Sequence, residues 1–308
     1  MALVTGGALA AAVSRAGGLG IVGGGYAGTM GGEPDLEAEL GIAKSEKFGV
    51  GFITWALSQA PGMLTKALKH SPFCVFLSFG DPGSFADEIR RTDALLMCQV
   101  QCMSDIELAL RAGASAIVVQ GSEAGGHGAT RSTFPFLPEA DDYLKQHSPE
   151  TLLLAAGGIA DGRGLAAALV LGADGVVVGT RFWASTEALT KKAHTDRAIA
   201  ANGDSTVRTK AFDALRGIGW PRQYSFRFLQ NKLSSEWVNR EEQAFQAFGS
   251  LAERYAQARV QDDLDTVAVV CGEAIGIIHE RPSAESIVRS MAEQAENILR
   301  SGIDRWLK

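Results

Sequence analysis

The sequence lacks the features that mark several large classes of protein. Of its 308 residues only four are cysteine, Cys74, Cys98, Cys102 and Cys271, with no C-x-x-C pair among them. They are too few to staple a chain of this length and point to reduced thiols in a cytoplasmic setting. Excess positive charge is also missing. The 29 basic and 35 acidic side chains leave a net charge of −6, which offers nucleic acid or an anionic membrane surface no general attraction. No apolar run reaches the length of a bilayer span, and the opening MALVTGGALAAAVSRAGG has no basic segment ahead of an apolar one. Neither a membrane helix nor a secretory leader is expected. With 46% hydrophobic and 21% charged residues, the composition excludes disordered, collagenous and coiled-coil chains.

Glycine is what the chain has in excess, 36 residues against a typical usage of roughly 7%, and 29 of them lie in the first 179 positions. That part of the chain therefore needs positive-φ turns or close backbone approach to something. The same part alternates short β-rich apolar runs with helical stretches at βαβ spacing. The runs are 19–22, 48–53, 73–77, 95–100, 116–120, 152–156 and 174–178. They are apolar throughout, as strands of a parallel sheet covered on both faces should be. Helices are expected over 7–16, 34–46, 58–69, 83–91, 104–112, 136–147 and 161–171. Ser104 and Glu107 have the spacing of a capping box, and Gly113 and Gly172 sit where helices stop. The length suits a TIM (β/α)8 barrel with an appendage. Seven strands are visible, and residues 1–4 are the only candidate for the eighth.

After residue 180 the strand signal ends. Helices are expected over 186–202, 208–216, 222–229, 235–259, 262–279 and 283–301. The chain thus divides into a barrel over 1–184, a helical substrate domain over 185–261, and C-terminal helices from about 262 to 308 that pack back on the barrel. Residues 208–232 hold Arg208, Lys210, Arg216, Arg222, Arg227 and Lys232 against the single acid Asp213, a local charge of +5. This is either a solvated face or a seat for an anionic substrate or cofactor tail. The aromatic run over 220–228 either lines a pocket or packs the domain.

Three glycine motifs carry the chemistry. GLGIVG at 18–23 matches the dinucleotide fingerprint in letters only, because a helix precedes it where a strand is required. GSEAGGHG at 121–128 directly follows the strand 116–120, at the strand end where parallel α/β proteins bind ligands. A histidine among four glycines has no bulky neighbours in sequence, so His127 reads as an acid, base or hydrogen-bond donor to a ligand. No second His, Cys or carboxylate lies at metal-ligand spacing around it, and no metal is expected. The clusters AAGGIADGRG at 155–164 and GVVVGTRF at 175–182 expose bare backbone N–H groups at two neighbouring strand ends, an arrangement that holds a phosphate without a cationic clamp. The other histidines, His70, His147, His194 and His279, lie on or near helices with no supporting partner in sequence.

These motifs, with GEAIGII near the C-terminus, resemble the FMN-dependent nitronate monooxygenase (2-nitropropane dioxygenase) group. The resemblance runs over nearly the whole chain. It implies a TIM barrel with FMN at its C-terminal face and a helical substrate domain. It assigns the FMN phosphate to Gly157, Gly158, Gly179 and Thr180, other flavin contacts to Met1, Ala2, Leu3, Gln99, Gln120, Gly121 and Gly126, and the catalytic role beside the flavin ring to His127. The implied reaction is oxidation of alkyl nitronates, or nitroalkanes, by O2 to a carbonyl compound and nitrite. Flavin enoyl-ACP reductases and NADH:quinone reductases share the barrel, so an NAD(P)H-dependent reductase is the competing reading. A homodimer stays open.

Overall fold

The computed structural model of the protein describes residues 1–29 and 32–306; Met30, Gly31, Leu307 and Lys308 lie outside the described residues. Its ten strands are β1 (Gly20–Gly25), β2 (Phe48–Ile53), β3 (Cys74–Ser78), β4 (Leu95–Val100), β5 (Ala116–Gln120), β6 (Gly126–Gly128), β7 (Leu152–Ala156), β8 (Gly175–Val177), β9 (Thr206–Thr209) and β10 (Ser225–Leu229). Seven form one parallel sheet in the order β1-β2-β3-β4-β5-β7-β8, with helices in the connections. This is the α/β barrel architecture of the TIM class. The other three form an antiparallel sheet in the order β6-β10-β9.

The strands are apolar on both faces because each face meets a core. Cys74, Phe76, Met97, Ala116, Val118 and Ala156 pack together on the inner face. Alternate residues such as Val75, Leu77, Cys98, Ile117, Val119 and Ala155 join the larger core under the surrounding helices. This two-residue alternation places Gln99 and Gln101 on the same side as Met97, and Gln120 on the same side as Val118.

Residues 1–4 do not form the expected eighth strand. They make a turn, with Leu3 at φ 65° and the N–H groups of Val4 and Thr5 both donating to the Met1 carbonyl at 3.1 Å. The turn still connects the two ends of the sheet: Gly23 on β1 donates to Thr5 O (2.9 Å), and Leu189, beyond β8, donates to Val4 O (2.9 Å).

The expectation of an all-helical stretch after residue 180 is also corrected. Segment 222–229, read as helical, contains β10, and β9 precedes the short helix Ala211–Arg216. Phe226 and Phe228 alternate with Ser225 and Arg227, and the two phenylalanines enter a separate core with Phe212, Leu215, Leu233, Leu251 and Tyr255. A strand buries that alternation on one face, and a helix does not. The long helix Ala284–Trp306 returns to the barrel, where Ile287 and Met291 join its outer core.

The helix after β4 starts one residue earlier than expected. It spans Met103–Arg111 from the N-cap Cys102, so Ser104 lies inside it and forms no capping box. Asp105 instead accepts from the Gln101 N–H at 3.0 Å. Gly113 (φ 82°) and Gly172 (φ 102°) do sit just beyond helix ends.

Close packing imposes one glycine directly. Helix Gly7–Arg15 lies so tightly on β1 that a Cβ at Gly20 would fall 2.5 Å from the Ala10 carbonyl carbon. Gly20→Ala is expected to lower stability by about 1–3 kcal/mol through overpacking. Gly41, exposed on the helix Leu36–Ala43 with no atom within 4 Å of a built Cβ, should give the opposite sign on replacement by alanine, a gain of up to about 1 kcal/mol. Denaturant midpoints at unchanged slope check both.

Candidate active site

A loop this rich in glycine has few side chains to pack, so its backbone must be held by other groups. In the loop 121–128, Arg208 on β9 donates from Nη2 to the carbonyls of Ser122 (3.0 Å) and Ala124 (2.7 Å), and from Nη1 to Ser225 O (2.7 Å). Arg227 on β10 adds a bond from Nε to Ser122 O (3.0 Å) and pairs with Glu273 at 2.8 Å. Burial, then the neighbouring Arg227, lower the Arg208 pKa to about 10, which leaves it charged at neutral pH. Two members of the basic stretch are thus committed to loop carbonyls, and Lys232 pairs with Asp265 at 2.7 Å. On the opposite side, Glu273 N–H donates to Glu123 O (3.0 Å). Gly125 and Gly272 meet so closely that a Cβ on Gly272 would lie 2.7 Å from Gly125 N.

The loop ends in β6, which places His127 opposite Phe226 of β10. His127 Nε2 lies 2.8 Å from Asp213 Oδ1, and both side chains are about 95% buried. The imidazole lies flat on Trp220, with centroids 3.4 Å apart and planes 8° from parallel. Burial depresses its pKa to about 4, against the opposing pull of Asp213 and with smaller lowering from Arg216 and Arg208. At neutral pH the ring is therefore uncharged. Because the carboxylate can only accept, the single ring proton sits on Nε2, and Nδ1 carries a lone pair.

Behind His127 runs a chain of buried amides. Gln120 Nε2 donates to His127 O (3.0 Å), and Gln101 Nε2 donates to Gln120 Oε1 (3.1 Å). Sequence reasoning selected Gln120 and missed Gln101, which the alternation from Met97 and Gln99 would have found. Gln99 is half-buried and lines a small cleft of about 190 Å³ beside Gln101 and Tyr224.

Gly157 (φ 102°) and Gly158 (φ 75°) follow β7, and a Cβ on Gly157 would lie 3.0 Å from Gly121 O. Gly179 and Thr180 follow β8. Among the described residues, no hydrogen bond within the chain uses the N–H of Gly157, Gly158, Gly179 or Thr180. Thr180 Oγ1 accepts from Gly272 N (2.9 Å). Beside Gly158, the Glu123 carboxylate accepts from Thr133 N (3.0 Å) and Thr133 Oγ1 (2.9 Å) at the start of helix Thr133–His147.

Across the strand ends lies an aromatic cluster that sequence reasoning only half identified. Trp220 and Tyr224 come from the aromatic run. Tyr26, Trp55 and Phe79 follow the C-terminal ends of β1, β2 and β3, a position that could have singled them out. Their rings meet edge to face at centroid distances of 5.0–6.1 Å, and Trp220 Nε1 donates to Tyr26 Oη (3.1 Å). Ala2 packs against this cluster, whereas Met1 lies against Gly51 and Gly23. The site thus brings together Gln120, Gly121, Gly126 and His127 beside Gly157 and Gly158. The residues Met1, Ala2 and Leu3 sit at the opposite, β1 side. His194, expected to lack a partner, pairs with Asp262 at 2.9 Å on another face. No group of three His, Cys, Asp or Glu among the described residues is placed to hold a metal, and no helix among them is long and apolar enough to cross a membrane.

A family model described as nitronate monooxygenase matches residues 55–294. The nitronate monooxygenase npaC of Metarhizium robertsii is 36% identical, over 98% of this chain and 90% of its own length. The nitronate monooxygenase of Neurospora crassa is 31% identical over 96% and 87%. Among solved structures, FabK from Thermotoga maritima superposes with a TM-score of 0.81 at 28% identity, covering 98% of this chain and 92% of that one. A nitroalkane oxidase from Streptomyces ansochromogenes gives a TM-score of 0.80 at 23% identity, covering 97% and 94%, which is a likeness of fold.

The neutral buried histidine makes stability depend on pH. Between its ordinary pKa of 6.5 and the folded value of about 4, the unfolded chain binds a proton that the folded chain excludes. Stability is therefore complete above pH 6.5 and falls as the pH drops toward 4, by up to about 3 kcal/mol from this residue. Denaturant melts of wild type and His127→Gln across that window should diverge by this amount, with the wild type showing the steeper slope.

Proposed function

The chain belongs to the nitronate monooxygenase family, and we propose that it oxidises alkyl nitronates, with FMN as cofactor and O2 as co-substrate, to a carbonyl compound and nitrite. The observation that carries this reading is the buried His127–Asp213 pair, held at 2.8 Å on a glycine loop above the strand ends.

The residues present fit a flavin phosphate. Four backbone N–H groups, of Gly157, Gly158, Gly179 and Thr180, have no partner among the described residues, and two of the glycines adopt the positive φ that can turn the backbone toward such a group. Gln99, Gln120, Gly121 and Gly126 would flank the ring, with Ala2 and its neighbours Met1 and Leu3 on the β1 side. Residues 185–261 would cover the barrel of 1–184 as the substrate side, with 262–308 packed back on it. The cysteines are unpaired thiols, which supports a cytoplasmic setting.

The bound flavin supplies the electron acceptance that the side chains cannot. The rest falls to the chain's own residues. With Nε2–H donated to Asp213, the Nδ1 lone pair of His127 can take the α-proton of a neutral nitroalkane. Asp213 acts through His127 as a positioning residue: it fixes the tautomer and stabilises the imidazolium that proton transfer creates. Trp220 shields one face of the ring from water. Within the basic stretch Arg208, Arg227 and Lys232 are engaged inside the chain, which leaves fewer cations for the nucleotide of the competing reductase reading.

Purified protein should be yellow, and NADH added anaerobically should leave the flavin oxidised; rapid bleaching would favour the reductase. His127→Ala should cut turnover of neutral nitroethane by about 10²-fold or more, and that of preformed ethyl nitronate by less. Asp213→Asn should act in the same direction with a smaller loss, and shift the pH profile for nitroethane. Equal losses on the two substrates would exclude the base role. Absence of flavin and of nitronate turnover would overturn the function.

A further inference from the structure

The short helix Ala211–Arg216 carries two charged groups three residues apart, which places them on neighbouring parts of one face. Asp213 is bonded to His127. Arg216 forms no ion pair among the described residues, and its Nη1 is buried without a hydrogen-bond partner. Its guanidinium lies over Phe226, 4.9 Å from the ring centroid, and Phe226 is itself 4.7 Å from the His127 ring. The cation is close enough to lower the pKa of both His127 and Tyr26. Leaving a charged donor buried and unmade costs more than the roughly 1–3 kcal/mol of a neutral group. Packing explains the stem and the ring contact, and Tyr26 is within hydrogen-bonding reach of the guanidinium, but neither accounts for the unpartnered Nη1.

The surroundings define the ligand. Stacked on the His127 ring through Trp220 is the cluster of Tyr26, Trp55, Phe79, Trp220 and Tyr224, an apolar wall in which Trp55 Nε1 is also buried and unpartnered. One cation beside an aromatic box, with a neutral base next to it, suits a molecule with a single compact anionic end and an apolar tail.

We propose that Arg216 is the anion subsite: its free Nη1 donates to the oxygens of the substrate's nitronate group, while the aromatic cluster receives the alkyl chain. Substrates are then monoanionic alkyl nitronates. For a neutral nitroalkane the same contact strengthens as negative charge develops on the nitro oxygens during loss of the α-proton to His127, so Arg216 also favours that transfer. This rests on the nitronate reading above, but it makes a separate claim about which residue binds the anion.

The test uses FMN-loaded wild type, Arg216→Met and Arg216→Lys, each checked for intact circular dichroism and flavin content. Inorganic nitrite binding is measured by calorimetry, and KM and kcat are measured for ethyl and butyl nitronate. Arg216→Met should weaken nitrite binding and raise KM by about 10–100-fold, the loss of one charged hydrogen bond, with a smaller change in kcat. Arg216→Lys should recover part of the affinity, and butyl nitronate should show the higher kcat/KM in the wild type. Unchanged nitrite affinity and KM in Arg216→Met would overturn the subsite. If the wild type bound nitrite through Arg216 yet oxidised no nitronate, the anion subsite would stand and the proposed reaction would fall.

Discussion

The arrangement around His127 depends on one half-buried guanidinium. The loop 121–128 contains four glycines, and glycine backbone loses more conformational freedom on ordering than any other. Half-buried Arg208 offsets that cost with charged hydrogen bonds to the loop. Its fork reaches the carbonyls of Ser122, Ala124 and Ser225, so it ties the loop after β5 to β10 in one step. Lysine, a point charge without a planar fork, has no equivalent geometry. Once the loop is tied, β6 pairs with β10, and that pairing carries His127 to Asp213.

The electrostatic character of the site follows from that placement. An imidazole taken out of water among Trp220 and Phe226 loses its charge, and the neighbouring Arg216 and Arg208 lower its proton affinity further. Asp213 opposes this and orients the ring. The result is a neutral base beside a cation that forms no ion pair among the described residues. Such an arrangement is better balanced with an anion bound. On the barrel side, the N–H groups at the ends of β7 and β8 that are unused among the described residues are the second region proposed to hold an anion, through backbone alone. The two regions suit different anions, one a phosphate and the other a small organic group.

The barrel was legible because parallel strands covered on both faces have a distinctive composition, and each expected run overlaps an observed strand. The misreadings have local causes. In 222–229 the alternation of Phe226 and Phe228 with Ser225 and Arg227 was present, but a short strand amid helical neighbours was outweighed by its surroundings. Ser104 and Glu107 had the right spacing for a capping box, yet the helix begins at Met103, and one residue is enough to turn a cap into an interior position. Residues 1–4 had apolar composition but adopt a turn at Leu3, and nothing in four residues distinguishes the two outcomes.

The sequence by itself determined the barrel, the glycine clusters at its strand ends, the placing of His127 in the glycine loop after β5, and the family. All of these are encoded in contiguous segments with a fixed period or motif. Only the tertiary structure decided the partners. Asp213 lies 86 residues from His127, and Arg208 lies 86 from Ser122; in sequence both are ordinary members of a charged stretch. Burial removes the charge of His127 and leaves the Arg216 Nη1 without a partner among the described residues. Burial is a property of what surrounds a residue in space, and no local pattern in the chain records it.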